Sequence, residues 1–288
     1  MANGILIIDK PEGWTSMDVC AKLRGKFHEK RVGHGGTLDP MATGVLPIFL
    51  GRATRAVEFS TDSTKEYLAG LKLGVVTNTQ DTTGEVLSEQ FVEISAREVS
   101  AILPKFVGPM EQIPPMYSAI KKDGQKLYDL ARKGVEVERK PRPITIHSIS
   151  FEGQANLDEY LIQVRCSKGT YIRTLCHDIG QALGCGGCMS ALRRIEAGGY
   201  TLADCVTLEE VLTCDDPESL LRPVDSCFTQ YPDLTVSGKA LSLAKNGNLF
   251  RTNAPDGTYR VYDPDGKFLL LGRATGGQMA TVKSFFEV

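Results

Sequence analysis

Apolar positions recur along this chain in two rhythms, and each change of rhythm marks an element. Residues 5–8 form a continuous apolar run, read as a buried strand, and Lys10-Pro11-Glu12-Gly13 reads as the turn behind it. Met17, Cys20, Leu23 and Phe27 recur at helical spacing, with Thr15 or Ser16 as cap, and predict a helix. Residues 45–50 form a second short apolar run, ended by Gly51. Tyr67, Ala69, Leu71 and Leu73 fall on every second position, the signature of a strand with one buried face. Ser95-Ala96-Arg97-Glu98 is a capping box, and Val99, Ile102, Leu103 and Phe106 are the stripe of the helix it opens. Residues 161–166 read as another strand. Ile172, Leu175, Cys176, Ile179 and Leu183 predict a helix with Thr170 as cap and Gly184 as stop.

Turn chemistry separates these elements. TNTQDTTG at 77–84 is turn-rich, Pro114-Pro115 breaks the chain, and 127–133 predicts a short helix stopped by Gly134. RKPRP at 139–143 is excluded from a central strand, because prolines remove ladder donors, and is read as an exposed connector. Beyond about residue 228 short strands dominate, at 258–262, 268–271 and 280–286, with a turn at Pro264-Asp265-Gly266. The pattern predicts a mixed α/β domain over 1–228 and a small β-rich module over 229–288.

Composition changes this picture in three places. The formal net charge of −2 does not advertise a nucleic-acid partner, but residues 121–142 carry eight Lys/Arg against four Asp/Glu. Such a segment is either a solvated helix face or a surface that meets phosphates. Residues 209–233 hold seven acids against Arg222 alone. Of the eight cysteines, the only close pair is Cys185-Gly186-Gly187-Cys188. A zinc ribbon needs a second such pair; Cys205 falls in the window, but Leu208 stands at its partner position. Thiols that are packed or exposed, without metal, are the expectation. No run approaches the ~18 apolar residues of a membrane span, and residues 5–8 are too short for a signal-peptide core. The chain reads as cytosolic.

Residues 33–47, GHGGTLDPMATGVLP, concentrate the candidate chemistry. A P-loop would need Gly-Lys-Ser/Thr, which is missing. The dinucleotide fingerprint starts at Gly33 and Gly35 but meets Leu38 at its third glycine. His34 and Asp39 lack a third metal ligand at a recognisable spacing. What survives is one carboxylate, Asp39, biased toward extended backbone by Pro40 among glycines that give little steric cover. An Asx-type turn would use the same residues, and composition does not choose between the two.

The stretch GHGGTLDPMATGVL resembles the signature of the TruB family, bacterial tRNA pseudouridine synthases acting on uridine 55 of the T-loop. IDKPEGWTS (8–16), KEYLAGLKLG (65–74), IPPMYSAIKKDGQKLYDLARKG (113–134), GTYIRTLCHDIG (169–180) and ALRR (191–194) resemble its other motifs. The resemblance covers about residues 3–227. More weakly, the tail with ALSLAKNGNL (240–249) is similar to a PUA-like RNA-binding domain. The sequence departs from the family at Gly35, where many members carry threonine, a change expected to loosen the loop. It departs again at Ile195-Glu196, where small polar or basic residues are common.

The resemblance implies an α/β fold of the α+β type. Its pseudouridine synthase catalytic domain has a central mixed, mainly antiparallel sheet and an RNA-gripping insertion at about 113–143, followed by the PUA-like domain. It implies Asp39 as nucleophile, Arg173 as its ion-pair partner, and Tyr67 as the ring stacked on the flipped base and candidate acceptor of the C5 proton. Taken alone, Arg173 reads as a surface helix residue and Tyr67 as a core strand residue. His34 is implied to enter the T-loop and fill the space the base leaves. Leu192 comes with the ALRR motif. Lys10, Lys121, Lys122, Arg142, Arg193 and Arg194 are the candidate RNA contacts. No cofactor or metal is implied. The partner is the T stem-loop of tRNA, and the expected protein is a cytoplasmic monomer without membrane attachment or an obligatory protein partner.

Overall fold

The computed structural model describes residues 2–61 and 63–286. The chain divides into two compact units that do not follow sequence order. One comprises Met1–Asp39, Leu46–Thr61 and Gly198–Val288; the other comprises Pro40–Val45 and Asp62–Ala197.

The second unit is built on a mixed sheet. Strand Gly187–Ala197 lies beside Lys65–Leu73, followed by Glu159–Cys166, Arg142–Asn156 and Gly108–Gln112, each antiparallel to the next. Thr43 and Gly44 run parallel to Arg193 and Arg194 on its other flank. Lys65–Leu73 obeys the alternation expected of it: Tyr67, Ala69, Leu71 and Leu73 are all buried. Helix Ile172–Ala182 packs against Gly187–Ala197. That approach needs Gly180, because a Cβ there would strike the backbone of Gly186 and Gly187.

In the first unit strand Gly4–Lys10 runs parallel to the short strand Val206–Thr207, and Val32–His34 pairs antiparallel with Leu50, Phe49 and Ile48. Helix Ser16–Phe27 is closed by a Thr15–Asp18 capping box. The C-terminal segment forms a five-stranded sheet in the order Asp233–Thr235, Gly257–Tyr262, Phe268–Thr275, Gln278–Ser284, Phe250–Arg251. It packs on segment 51–61 and on the turn Val224–Phe228 of the same unit. Phe228 meets Phe59 edge-on at 5.2 Å and Phe285 at 5.6 Å. Lys283 pairs with Glu58 at 2.6 Å.

The elements depart from the sequence expectations at identifiable points. Met17 is exposed: the first helix turns Ser16, Val19, Cys20, Leu23 and Phe27 inward instead. Tyr171, not Thr170, is the N-cap of the later helix, because the Thr170 hydroxyl is spent on the Ser167 carbonyl at 3.0 Å. Arg142 and Pro143 open a fifteen-residue strand rather than ending a connector. A proline at a strand's beginning is tolerated there. Strand Gly187–Ala197 went unpredicted, since CMSALRRIE shows neither clear alternation nor β-branched enrichment. The basic segment is no continuous helix face. It forms a hairpin, Lys121–Lys122 with Gln125–Lys126, and the short helix Leu127–Ala131.

Among the described residues no helix is long and apolar enough to cross a membrane. Cys20, Cys166, Cys176, Cys185 and Cys188 are buried and unbridged. Desolvation pushes the thiols of Cys20, Cys166 and Cys188 up to about 11, and that of Cys176 further still. Reactivity requires the thiolate. Iodoacetamide at pH 8 should therefore modify Cys205 and Cys214, both half-buried, and spare the five buried thiols. Mass spectrometry of the native protein checks this, and early labelling of Cys188 would contradict the packing.

Candidate active site

The glycine-rich loop is fixed at both ends. His34 lies opposite Ile48 in the ladder, and the Gly35 amide donates to the Pro47 carbonyl at 2.8 Å. Gly35 is buried, and a Cβ there would collide with the Ser60 side chain. The glycine therefore permits close packing, which corrects the expectation that it loosens the loop. Leu38 is buried, and Ser16 holds its backbone on both sides. The Ser16 hydroxyl accepts from the Leu38 amide at 2.9 Å and donates to the Leu38 carbonyl at 3.3 Å. Asp39 follows at once, half-buried, with exposed Pro40 behind it. The sequence reading has Ser16 as a possible cap and as the end of the motif at 8–16, without a role at Leu38. The signal was available: Thr15-Ser16 offers two hydroxyls, and the capping box uses one.

Tyr67 is buried in the sheet, opposite Val164 on one side and Arg194 on the other. Leu192, also buried, stands opposite Ala69 and so shares the face of Tyr67. Arg194 is 1% exposed, and its Nε donates to the Val45 carbonyl at 2.7 Å. Gly44, at φ +99°, makes room for this, because a Cβ would strike the Arg194 backbone. Arg193 is half-buried and donates to the Thr43 hydroxyl at 3.3 Å.

Two expected phosphate contacts are thus interior groups. Arg194 fastens strand Gly187–Ala197 to the chain at Val45. Lys10 is fully buried, and its ammonium donates to the carbonyls of Pro11 and Trp14 at 2.8 and 2.6 Å. It satisfies a turn whose carbonyls face inward. Lys121, Lys122 and Arg142 are exposed as expected of surface groups. The first two ride a hairpin turned by Asp123 and Gly124, both at positive φ, and the Lys122 ammonium donates to the Glu138 carbonyl at 2.9 Å. His34 is half-buried.

Arg173 is not a surface residue. It is 5% exposed, in the first turn of helix Ile172–Ala182. Its guanidinium donates to the Thr79 carbonyl at 3.1 Å and the Tyr117 carbonyl at 2.8 Å, and lies 3.6 Å from Asp81 Oδ2. Asp81 is itself buried. Its Oδ1 accepts from the Thr79 hydroxyl at 2.8 Å and from the Thr83 amide and hydroxyl at 3.0 and 2.5 Å. One carboxylate thus shapes turn 79–83 and faces the arginine. Sequence reasoning took 77–84 as turn only. The missed signal was an aspartate ringed by threonines, the composition of a carboxylate that accepts from its own turn.

Comparison with known proteins shows the family of the chain. Residues 24–172 match the model of the TruB family pseudouridylate synthase N-terminal domain, and residues 173–229 that of the tRNA pseudouridylate synthase B C-terminal domain. A tRNA pseudouridine synthase B of Clostridium kluyveri is 43% identical, covering 98% of this chain and 99% of its own. Its counterpart in Pseudomonas fluorescens is 44% identical over 95% of this chain and 92% of its own. Among solved structures, one chain of a Cbf5-Nop10-Gar1 complex superposes with a TM-score of 0.75 at 24% identity, covering 99% of this chain and 85% of that one. A chain of an H/ACA ribonucleoprotein bound to a substrate RNA containing 2′-deoxyuridine gives 0.74 at 22%, covering 99% and 86%. At that identity the likeness establishes the fold.

Asp81→Ala should destabilise the protein by about 3 kcal/mol, because it strands a buried cation and opens a turn. Ser16→Ala should cost about 1 kcal/mol, the worth of an ordinary hydrogen-bonding group. Urea unfolding at pH 7 measures both, and the order of the two losses is the test.

Proposed function

We propose, starting from the fact that this chain belongs to the TruB family of pseudouridylate synthases, that the tRNA uridine it isomerises is uridine 55 of the T-loop and that Asp39 is the nucleophile. The observation that carries this reading is the seat of Arg173. A guanidinium held out of water and aimed by two carbonyls and a carboxylate is costly to maintain, and a buried cation so fully provided for supports a role in the chemistry.

The reaction breaks the bond from N1 of uracil to C1′ of the ribose and makes one from C5 to the same carbon. The C5 proton is lost and N1 gains one, so atoms balance without a cofactor. A carboxylate suits the interval because it attacks and also leaves. Asp39 has to be ionised in a site that excludes water; desolvation opposes that, and the Arg173 cation restores it. The target base leaves its stack at a cost of roughly a few kcal/mol. Tyr67, with Leu192 on the same face of the sheet, stacks on the everted ring and accepts the C5 proton. His34 fills the vacated space in the T-loop. Lys121, Lys122, Arg142 and the half-buried Arg193 meet phosphates. Residues 229–288, which follow the catalytic domain 1–228 in the sequence, act as a PUA-like RNA-binding domain. The enzyme works as a cytoplasmic monomer without an obligatory protein partner.

Tritium release from tRNA carrying C5-labelled uridine tests the chemistry. Asp39→Asn should abolish release while tRNA binding stays within about threefold, since one neutralised carboxylate removes the nucleophile and no phosphate contact. Release at the native rate would remove Asp39 from its role, and pseudouridine mapped outside position 55 would overturn the target. Lys121→Ala and Lys122→Ala should each lower the slope of log affinity against log salt by about 1. An unchanged slope would take the hairpin off the RNA.

A further inference from the structure

Gln112 connects the basic insertion to the helix that carries Arg173. It is the last residue of strand Gly108–Gln112 and pairs in register with Arg142, so residues 112 and 142 pinch the two ends of the insertion together. Its side chain is buried. The carboxamide is used at both ends on one residue: Oε1 accepts from the Tyr171 amide at 2.8 Å, and Nε2 donates to the Tyr171 carbonyl at 3.1 Å. This copies the paired exchange of a β-ladder with a side chain. Tyr171 is the N-cap of helix Ile172–Ala182. Gln112 thus holds the helix entry by the backbone of its cap residue, two residues before Arg173.

A second contact joins the same parts. The Arg173 guanidinium donates to the carbonyl of Tyr117, which lies inside the insertion. Between Gln112 and Tyr117 stand Ile113, Pro114, Pro115 and Met116. Two prolines with fixed φ make this link stiff. Backbone placement of the helix start and direction of its arginine are thus both referred to one short, rigid piece of the insertion root.

We propose that Gln112 is a positioning residue for the isomerisation, holding Arg173 in register with the root of the RNA-gripping insertion. This rests on the reading of Arg173 as part of the catalytic machinery. Gln112 touches no substrate; it acts through the arginine. Affinity for tRNA, carried by exposed lysines further along the insertion, is left nearly unchanged by its loss.

The test is a double-mutant cycle read in single-turnover pseudouridine formation at saturating tRNA, with tRNA affinity measured alongside. Gln112→Ala should slow the step by about a hundredfold, the cost of an ångström of misplacement at a reacting centre, with affinity changed less than about threefold, because the exposed lysines remain. Gln112→Met keeps the side chain's length without its two bonds and should show the same loss, which separates bonding from a collapsed core. In an Arg173→Ala background, Gln112→Ala should cause no further loss, because residues acting as a unit are not additive. Multiplying losses, or a Gln112→Met protein at the native rate beside a crippled Arg173→Ala, would overturn the proposal alone. An Arg173→Ala protein at the native rate would remove the reading beneath it as well.

Discussion

A guanidinium without water is the constraint from which much of the second unit follows. A buried guanidinium is tolerated only while oxygen atoms surround it. They come from separate pieces of chain: the carbonyl of Thr79, the carbonyl of Tyr117 and the carboxylate of Asp81. Each piece is shaped to deliver its oxygen. Asp81 winds its own turn through Thr79 and Thr83, and Gln80 in that turn sits at φ +64° and accepts from the Thr174 hydroxyl at 2.6 Å. The helix start, the turn and the insertion root therefore specify one another. A shift in any one leaves a buried cation short of a partner.

An ionised carboxylate in a dry site needs a cation that does not wander, and a guanidinium already committed to carbonyls is such a cation. In the first unit, the peptide before Asp39 is held by Ser16 from a capped helix. The loop looks loose in composition and is firmly seated in fact. Gly35 serves close packing, as the collision of any side chain there with Ser60 makes plain.

How much of this was legible in the sequence depends on the range of the interaction involved. Local signals held: the Ser95–Glu98 capping box, the alternation of Tyr67 to Leu73, and the apolar runs at 5–8 and 45–50 all correspond to elements. Long-range signals did not. Strand Gly187–Ala197 has no pattern of its own and owes its conformation to Lys65–Leu73 beside it. Lys10, Arg173 and Arg194 carry charge, and charge alone suggests surface. Each is buried because carbonyls of other residues are turned toward it, a fact about chain path that spacing does not encode. The family motifs named Asp39, Tyr67 and Arg173 as candidates. They gave no role to Ser16, which ends the motif at 8–16, and did not include Asp81 or Gln112; all three act on backbone and neighbouring side chains.

The first unit joins the beginning of the chain to its end. Ile5 exchanges backbone bonds with Arg222, Ile8 lies beside Val206, and Phe59 rests on Phe228 within the aromatic cluster that continues to Phe285. During synthesis, strand Gly4–Lys10 meets its neighbour at residues 46–50 early, but Val206 and Arg222 on its other side emerge only after the second unit has been made. That second edge has to wait unpaired while most of the polypeptide is translated. The second unit, drawn almost wholly from one continuous stretch, is able to condense in that interval. Maturation of this protein is accordingly expected to end with the closing of that edge, when residues 206–222 reach the N-terminal strand.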